Sequence, residues 1–189
     1  MYRAQATGED TGEIVLYDLI GEGWFGGISA RQVRDDVKRL KGRALDVRIN
    51  SDGGDVFEAA AIYQTLVQSG KSVRTYVDGL AASAASVIAM AGEDIYMAEN
   101  GWMMIHNAWT LAMGDAAALR KTADDVERVN GSIVQTYVAR TGNTAEDVER
   151  WMNEETWLSA SDAVERGFAN AIMEPSEQIL AAACQSAQG

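Results

Sequence analysis

Apolar positions recur along this chain with two periods, and the alternation between them predicts a regular succession of strands and helices. Glu13–Asp18 reads as a strand. Ile28, Val33, Val37 and Leu40 then fall at helical spacing, with Ser29 as a cap and Gly42 closing the helix. Leu45–Ile49 is a second strand, followed by a helix from about Asp55 to Ser69 with Val56, Ala60, Tyr63 and Val67 facing inward, stopped by Gly70. Ser72–Val77 is the next strand, and Gly79–Gly92 opens as a buried apolar helix. Two short strand-like pieces follow, Asp94–Ala98 and Trp102–Ile105. A long amphipathic helix runs from Gly114-Asp115 to about Arg140, with Leu119, Ala123, Val126, Val129, Ile133 and Tyr137 along one face. Thr144 and Asp147 open a helix carrying Val148, Trp151 and Met152 and closed by Glu154 and Glu155. Ser159 and Asp162 read as a capping box, Gly167 as a helix stop and Phe168–Ile172 as a last strand. Strand, helix, strand in this order implies right-handed crossovers onto a mostly parallel sheet, an α/β fold.

The polar, aperiodic residues 1–12 read as a loose arm, residues 13–173 as one domain and residues 174–189, with Pro175, as a peripheral tail. A chain of 189 residues is long enough to bury a substantial core without staples. The net charge of -12 and a pI near 4.5 argue against nucleic acid or an anionic membrane as partner. Cys184 is the only cysteine, so there is neither an intrachain disulfide nor a cysteine-rich metal cluster, and a reducing cytoplasm is the expected compartment. Residues 1–11 lack the apolar core of a secretory signal, and Leu80–Gly92 is too short to span a bilayer.

Chemistry is expected at three places. Ser83 stands among small residues at the start of an apolar helix, where unpaired amides and the helix dipole favour developing negative charge; on this segment alone, an N-cap at a tight helix contact is the simpler reading. Asn50-Ser-Asp-Gly-Gly54 joins a strand end to a helix start, and its two glycines can turn N–H groups into a cleft as an oxyanion hole would require. His106, the only histidine, ends a strand and is a better base for Ser83 than Lys38, Lys41, Lys71 or Lys121, all in polar surroundings. The glycine-rich stretch Gly21–Gly27 is not a phosphate loop, because no Gly-Lys-Ser/Thr follows; its aromatic pair is expected to pack on the core or on a neighbouring subunit.

Four stretches, Asn50-Ser-Asp-Gly-Gly54, Gly79-Leu-Ala-Ala-Ser83, Met104-Ile-His-Asn107 and Leu158-Ser-Ala-Ser-Asp-Ala-Val-Glu-Arg-Gly167, resemble in order and spacing the successive signatures of the ClpP peptidases. The resemblance covers about residues 13–173 and is closer to the ClpP-type head maturation proteases of phages and prophages, through Asp-Gly-Leu-Ala-Ala-Ser-Ala-Ala-Ser and Glu-Thr-Trp-Leu. It implies a ClpP/crotonase-like fold with the long helix protruding as a handle. Ser83 would be the nucleophile and His106 the base. Glu155 matches the third member where ClpP has aspartate, with Glu154 next to it as an alternative, and the Gly54 and Ala84 amides match the oxyanion donors.

The same resemblance implies a serine endopeptidase without cofactor or metal, acting on protein or peptide substrates from a homo-oligomeric ring, stacked or single, with phage capsid or scaffold proteins as the expected targets. Asp52 stands where the family has proline before Gly-Gly, and Asn107-Ala108 where it has Gln-Pro. Rival readings are general proteolysis with an unfoldase partner, an acyl-CoA enzyme of the crotonase type and a catalytically silent ring protein.

Overall fold

The computed structural model describes residues 1–22 and 27–174. The aromatic pair Trp24-Phe25, the tail from Pro175 and Cys184 lie outside them. Among the described residues, eight strands and six helices form a mixed α/β fold: β1 (Tyr2–Ala6), β2 (Thr11–Leu16), α1 (Ala30–Arg39), β3 (Ala44–Ser51), α2 (Val56–Val67), β4 (Ser72–Ala82), α3 (Ala84–Ala89), β5 (Asp94–Met97), β6 (Trp102–Ile105), α4 (Ala116–Thr141), α5 (Ala145–Asn153), β7 (Thr156–Ser159), α6 (Ala160–Glu165) and β8 (Ala171–Ile172). One sheet runs β1-β2-β3-β4-β5-β8, with β6 beside the far end of β4 and β7 beside β6. Pairing is parallel except at β1–β2 and β6–β7, as short crossovers through helices require.

The central strands alternate strictly. Leu45, Val47 and Ile49 of β3, with Val73 and Val77 of β4, point to the helix-covered face and are all at most 2% exposed. Their neighbours on the opposite face, Asp46, Arg48, Arg74, Tyr76 and Asp78, are half-buried and mutually paired. Ser29 caps α1 through the Gln32 amide, and Val33, Val37 and Leu40 are buried as their spacing predicts.

Several expectations are corrected. Residues 2–6 are not a loose arm: they pair antiparallel with β2 from Tyr2–Leu16 to Ala6–Gly12, and Tyr2 and Ala4 pack on the core. Their alternation is too short and too polar to register as a strand, but an edge strand needs apolar residues on one face only. In α2 the buried stripe is Ala59, Ile62 and Leu66, whereas Ala60 and Val67 are exposed. Both stripes have helical spacing, and packing of α2 against α1 and α3 selects one of them. β4 continues past Val77 to Ala82, delivering the chain directly to Ser83. β7 occupies Thr156–Ser159, where no strand was expected, immediately before the Ser159–Asp162 capping box, which is present. The final strand is only Ala171–Ile172, because Phe168 turns into the core and is fully buried.

α4 is capped by Asp115 and ends at Gly142 in the left-handed conformation. Its buried residues are Ile133, Val134 and Tyr137; Leu119 and Ala123, expected along the same apolar face, are exposed. The first half of the helix therefore stands off the body of the domain.

Candidate active site

β4 and β6 lie side by side, with Leu80, Ala81 and Ala82 opposite Trp102, Met103 and Met104. The Ser83 amide continues the ladder by donating to the Met104 carbonyl at 2.9 Å. His106 follows two residues later, and its Nε2 lies 2.7 Å from Ser83 Oγ. Ser83 is the N-cap residue of α3 by position, yet its side chain makes no capping hydrogen bond. Its hydroxyl is committed to the imidazole. The backbone there is unusual, with φ 53° and ψ -124°, a conformation that suits glycine at the first central position of a type II′ turn. A non-glycine residue in a sparsely populated region is held by its surroundings and is a recurrent feature of reactive sites.

The Asn50–Gly54 turn is built against this serine. At the end of β3 the pairing with β4 slips between Ile49 and Ser51, and the Asn50 side chain fills the irregularity by accepting the Leu80 amide at 3.0 Å. Ser51, buried, donates to the Asp18 carbonyl at 2.6 Å and accepts the Gly53 amide at 3.1 Å. Ile20 bonds both flanks of the next residue: its amide donates to the Gly53 carbonyl and its carbonyl accepts from Asp55. The Gly54 amide between them is left without a backbone acceptor among the described residues. Ala84 opens α3, where first-turn amides have no intrahelical acceptor. Gly54, Ser83, Ala84 and His106 line one groove of about 760 Å³, whose walls include Phe57, Val87, Met104, Val126 and Ile133. Two unengaged amides, a serine and an imidazole in a largely apolar groove can bind and polarise a carbonyl while activating a hydroxyl.

Glu155 lies across from His106 in register without reaching it. β6 and β7 pair with Ile105 opposite Thr156, so the next residues outward, His106 and Glu155, face each other at the strand ends. The Asn107 amide group also donates to Asn153 Oδ1 at 2.7 Å, tying the two turns together. The Glu155 carboxylate, however, is exposed and accepts only the Trp157 indole N–H, at 3.4 Å. Neither Glu155 nor Glu154 comes within 4.0 Å of the imidazole nitrogens. Glu155 also has φ 50°, one of two positive-φ residues other than glycine among those described; the other is Ser83.

Three further residues shape the site. A Cβ on Gly53 would lie 2.8 Å from Ser83 Cβ and 2.9 Å from the Ala84 nitrogen, so the first glycine of the pair, at φ 95°, is what lets the turn close on the serine. Asn130 of α4 accepts the Ala108 amide at 2.7 Å, a bond that proline at this position could not make. Tyr137, read as a core residue of α4, brings its hydroxyl 2.8 Å from Ser86 Oγ. Only the Gly-Gly pair carried a local signal; the other two depend on where α4 docks.

Residues 37–176 match the Clp protease family, so the chain belongs to that family. One relative is the "ATP-dependent Clp protease proteolytic subunit" of Porphyromonas gingivalis, 30% identical over 135 residues. The match covers 70% of this chain and 61% of that protein, so the chain spans less than two thirds of the relative's length.

Proposed function

We propose that this protein is a serine endopeptidase with Ser83 as nucleophile, His106 as general base and acid, Glu155 as the orienting carboxylate and the Gly54 and Ala84 amides as oxyanion donors. The observation that carries the reading is the 2.7 Å contact between Ser83 Oγ and His106 Nε2 at the floor of the groove. For Nε2 to accept the serine proton, the neutral ring must hold its own proton on Nδ1. Ser83 Oγ then attacks the peptide carbonyl carbon as its proton passes to Nε2. The carbonyl oxygen becomes an oxyanion between the two amides, and the C–N bond breaks as Nε2 returns the proton to the leaving nitrogen. Water, deprotonated by the same nitrogen, releases the acyl group and restores the serine. Glu155 joins when a small movement of its turn exchanges the indole for Nδ1–H, and its charge then stabilises the imidazolium.

The substrates are peptides or unfolded protein segments, which the open groove admits in extended form. Family membership and the exposed apolar side chains before and on the free half of α4, Trp109, Leu111, Met113 and Leu119, support assembly into homo-oligomeric rings through the protruding helix. The Glu-Thr-Trp-Leu and Asp-Gly-Leu-Ala-Ala-Ser stretches favour capsid or scaffold processing in a phage or prophage and a cytoplasmic location.

The decisive experiment is covalent labelling by a fluorophosphonate, with cleavage of a fluorogenic peptide amide measured in parallel. Ser83→Ala should lose both while its assembly state by gel filtration is unchanged. A protein that is labelled and active without Ser83 would overturn the mechanism. Release of defined fragments from co-expressed capsid proteins, identified by mass spectrometry, tests the maturation role.

A further inference from the structure

We propose that Tyr137 is a positioning residue for the reaction, acting through Ser86 on the peptide that joins Ser83 to Ala84. This rests on the reading of Ser83 as the nucleophile. The Ser83 carbonyl accepts two hydrogen bonds, from the Ser86 amide at 3.0 Å and from Ser86 Oγ at 2.5 Å. A carbonyl oxygen can only accept, so the Ser86 hydroxyl spends its proton there. In the 2.8 Å contact between Ser86 Oγ and the Tyr137 hydroxyl, the tyrosine is therefore the donor. The relay runs in one direction, from Tyr137 to Ser86 to the Ser83 carbonyl.

Its effect follows from the planarity of the peptide. C=O and N–H point in opposite directions across a trans peptide, so a carbonyl drawn toward Ser86 turns the Ala84 N–H away from the core and toward the groove. Without that anchor, the φ 53° conformation of Ser83 has fewer contacts holding it, and the peptide is freer to rotate. Both hydroxyls are buried, Ser86 at 0% and Tyr137 at 1% exposure, so water cannot replace either. The Tyr137 ring is itself wedged against Phe168 with centroids 5.5 Å apart, and α4 contributes one wall of the groove. Docking of α4 and the aim of the oxyanion donor are thereby coupled.

The test uses the full chain with Tyr137→Phe, Ser86→Ala and the double substitution. Fluorophosphonate labelling rates and steady-state constants on a fluorogenic peptide amide are the readouts. Loss of a preorganised oxyanion donor lowers kcat by about 10²-fold to 10³-fold, and a donor that is present but poorly aimed should lower it by about tenfold. Tyr137→Phe is thus expected to reduce kcat and labelling by about tenfold with KM and the pH dependence unchanged, and the double variant to be no slower than Ser86→Ala. Should Tyr137→Phe fail to fold by circular dichroism, Ser86→Ala alone must show the same split between kcat and KM. Wild-type rates in these variants, or losses that multiply in the double variant, overturn the relay while leaving Ser83 as nucleophile. Absence of labelling in the wild-type protein overturns both readings.

Discussion

Glu155 Oε1 accepts the indole N–H of Trp157 at 3.4 Å, two residues along the same turn, while the register of β6 and β7 sets Glu155 opposite His106. A bond this long is weak and solvent-exposed, so little holds the carboxylate away from the imidazole. Glu155→Gln should lower kcat/KM by at least tenfold and Glu154→Gln by less than threefold, about the difference expected between a charge that stabilises imidazolium and one that does not. Trp157→Phe, which frees the carboxylate, should leave activity equal or higher. Equal losses at Glu154 and Glu155 would remove Glu155 from the mechanism.

The backbone of Glu155 offers an independent check. Its φ of 50° follows the last turn of α5, a place where glycine is the usual choice. Left-handed backbone costs a residue with a Cβ about 1 kcal/mol. Glu155→Gly should therefore raise the unfolding free energy in urea by up to about 1 kcal/mol while lowering turnover. A destabilised Glu155→Gly protein would mean that the side chain, and not the backbone, governs stability at this turn.

Gly53→Ala should all but abolish turnover. The added methyl would meet the Ala82 carbonyl oxygen at 2.6 Å and Ser83 Cβ at 2.8 Å, neither of which can move without displacing the Ser83 hydroxyl. Overpacking of this kind costs about 1–3 kcal/mol, small enough for the fold to survive. Gly131→Ala is the contrast: nothing lies within 4 Å of its added Cβ, and in the middle of α4 it should stabilise the chain by about 1 kcal/mol. Thermal unfolding and peptide turnover, measured on both variants, separate the two effects.

On the sheet face away from the helices, Arg48 bridges both Asp78 carboxylate oxygens through Nε and Nη2, and the Tyr17 hydroxyl donates to the same carboxylate at 2.5 Å. Burial first, and then the hydrogen bond to the Asp78 carboxylate and its negative charge, push the Tyr17 hydroxyl pKa up from its ordinary value, with Arg48 acting in the opposite direction. Asp78→Ala leaves a half-buried guanidinium and phenol without their acceptor and should cost about 1–3 kcal/mol, toward the lower end because Arg48 keeps partial access to water. A midpoint in urea that moves by less than the error of the measurement would show that solvent already satisfies these groups.

Acid should weaken the region after β7. Asp162 has its pKa lowered by the Ser159 hydroxyl and then by the Ser159 amide, which together make the capping box of α6. A carboxyl whose folded pKa is depressed contributes stability above its unfolded value of 3.8, and that contribution disappears as pH falls through the folded value. Asp162→Asn should therefore show a shallower loss of stability below pH 4 than the wild-type protein. Parallel acid-unfolding curves for the two would mean that the box is not formed in solution.

Much of the site was visible in four short stretches because each meets a local demand. Ser83 follows small residues at a strand-to-helix turn, Gly53-Gly54 permits φ values no side chain tolerates, and His106 is the single histidine of the sequence. The two glycines and the serine are juxtaposed by parallel neighbours β3 and β4, which follow one another in the chain. Glu155 was legible only as a motif match, since its partner choice depends on how a turn sits and not on its residues. Tyr137 and Asn130 were legible only as members of a helix face.

The alternation of Leu45, Val47 and Ile49, the caps at Ser29, Asp115 and Ser159, and the glycine stops determined the order and nature of most elements by themselves, because burial of one strand face and capping of a helix end are satisfied within a few residues. What tertiary structure decided was which of two equally periodic stripes α2 buries, that residues 2–6 complete the sheet edge, that half of α4 stands free and that Tyr137 on it reaches the Ser86 hydroxyl. Each depends on the shape of a surface assembled from distant segments, and such a surface has no period along the chain.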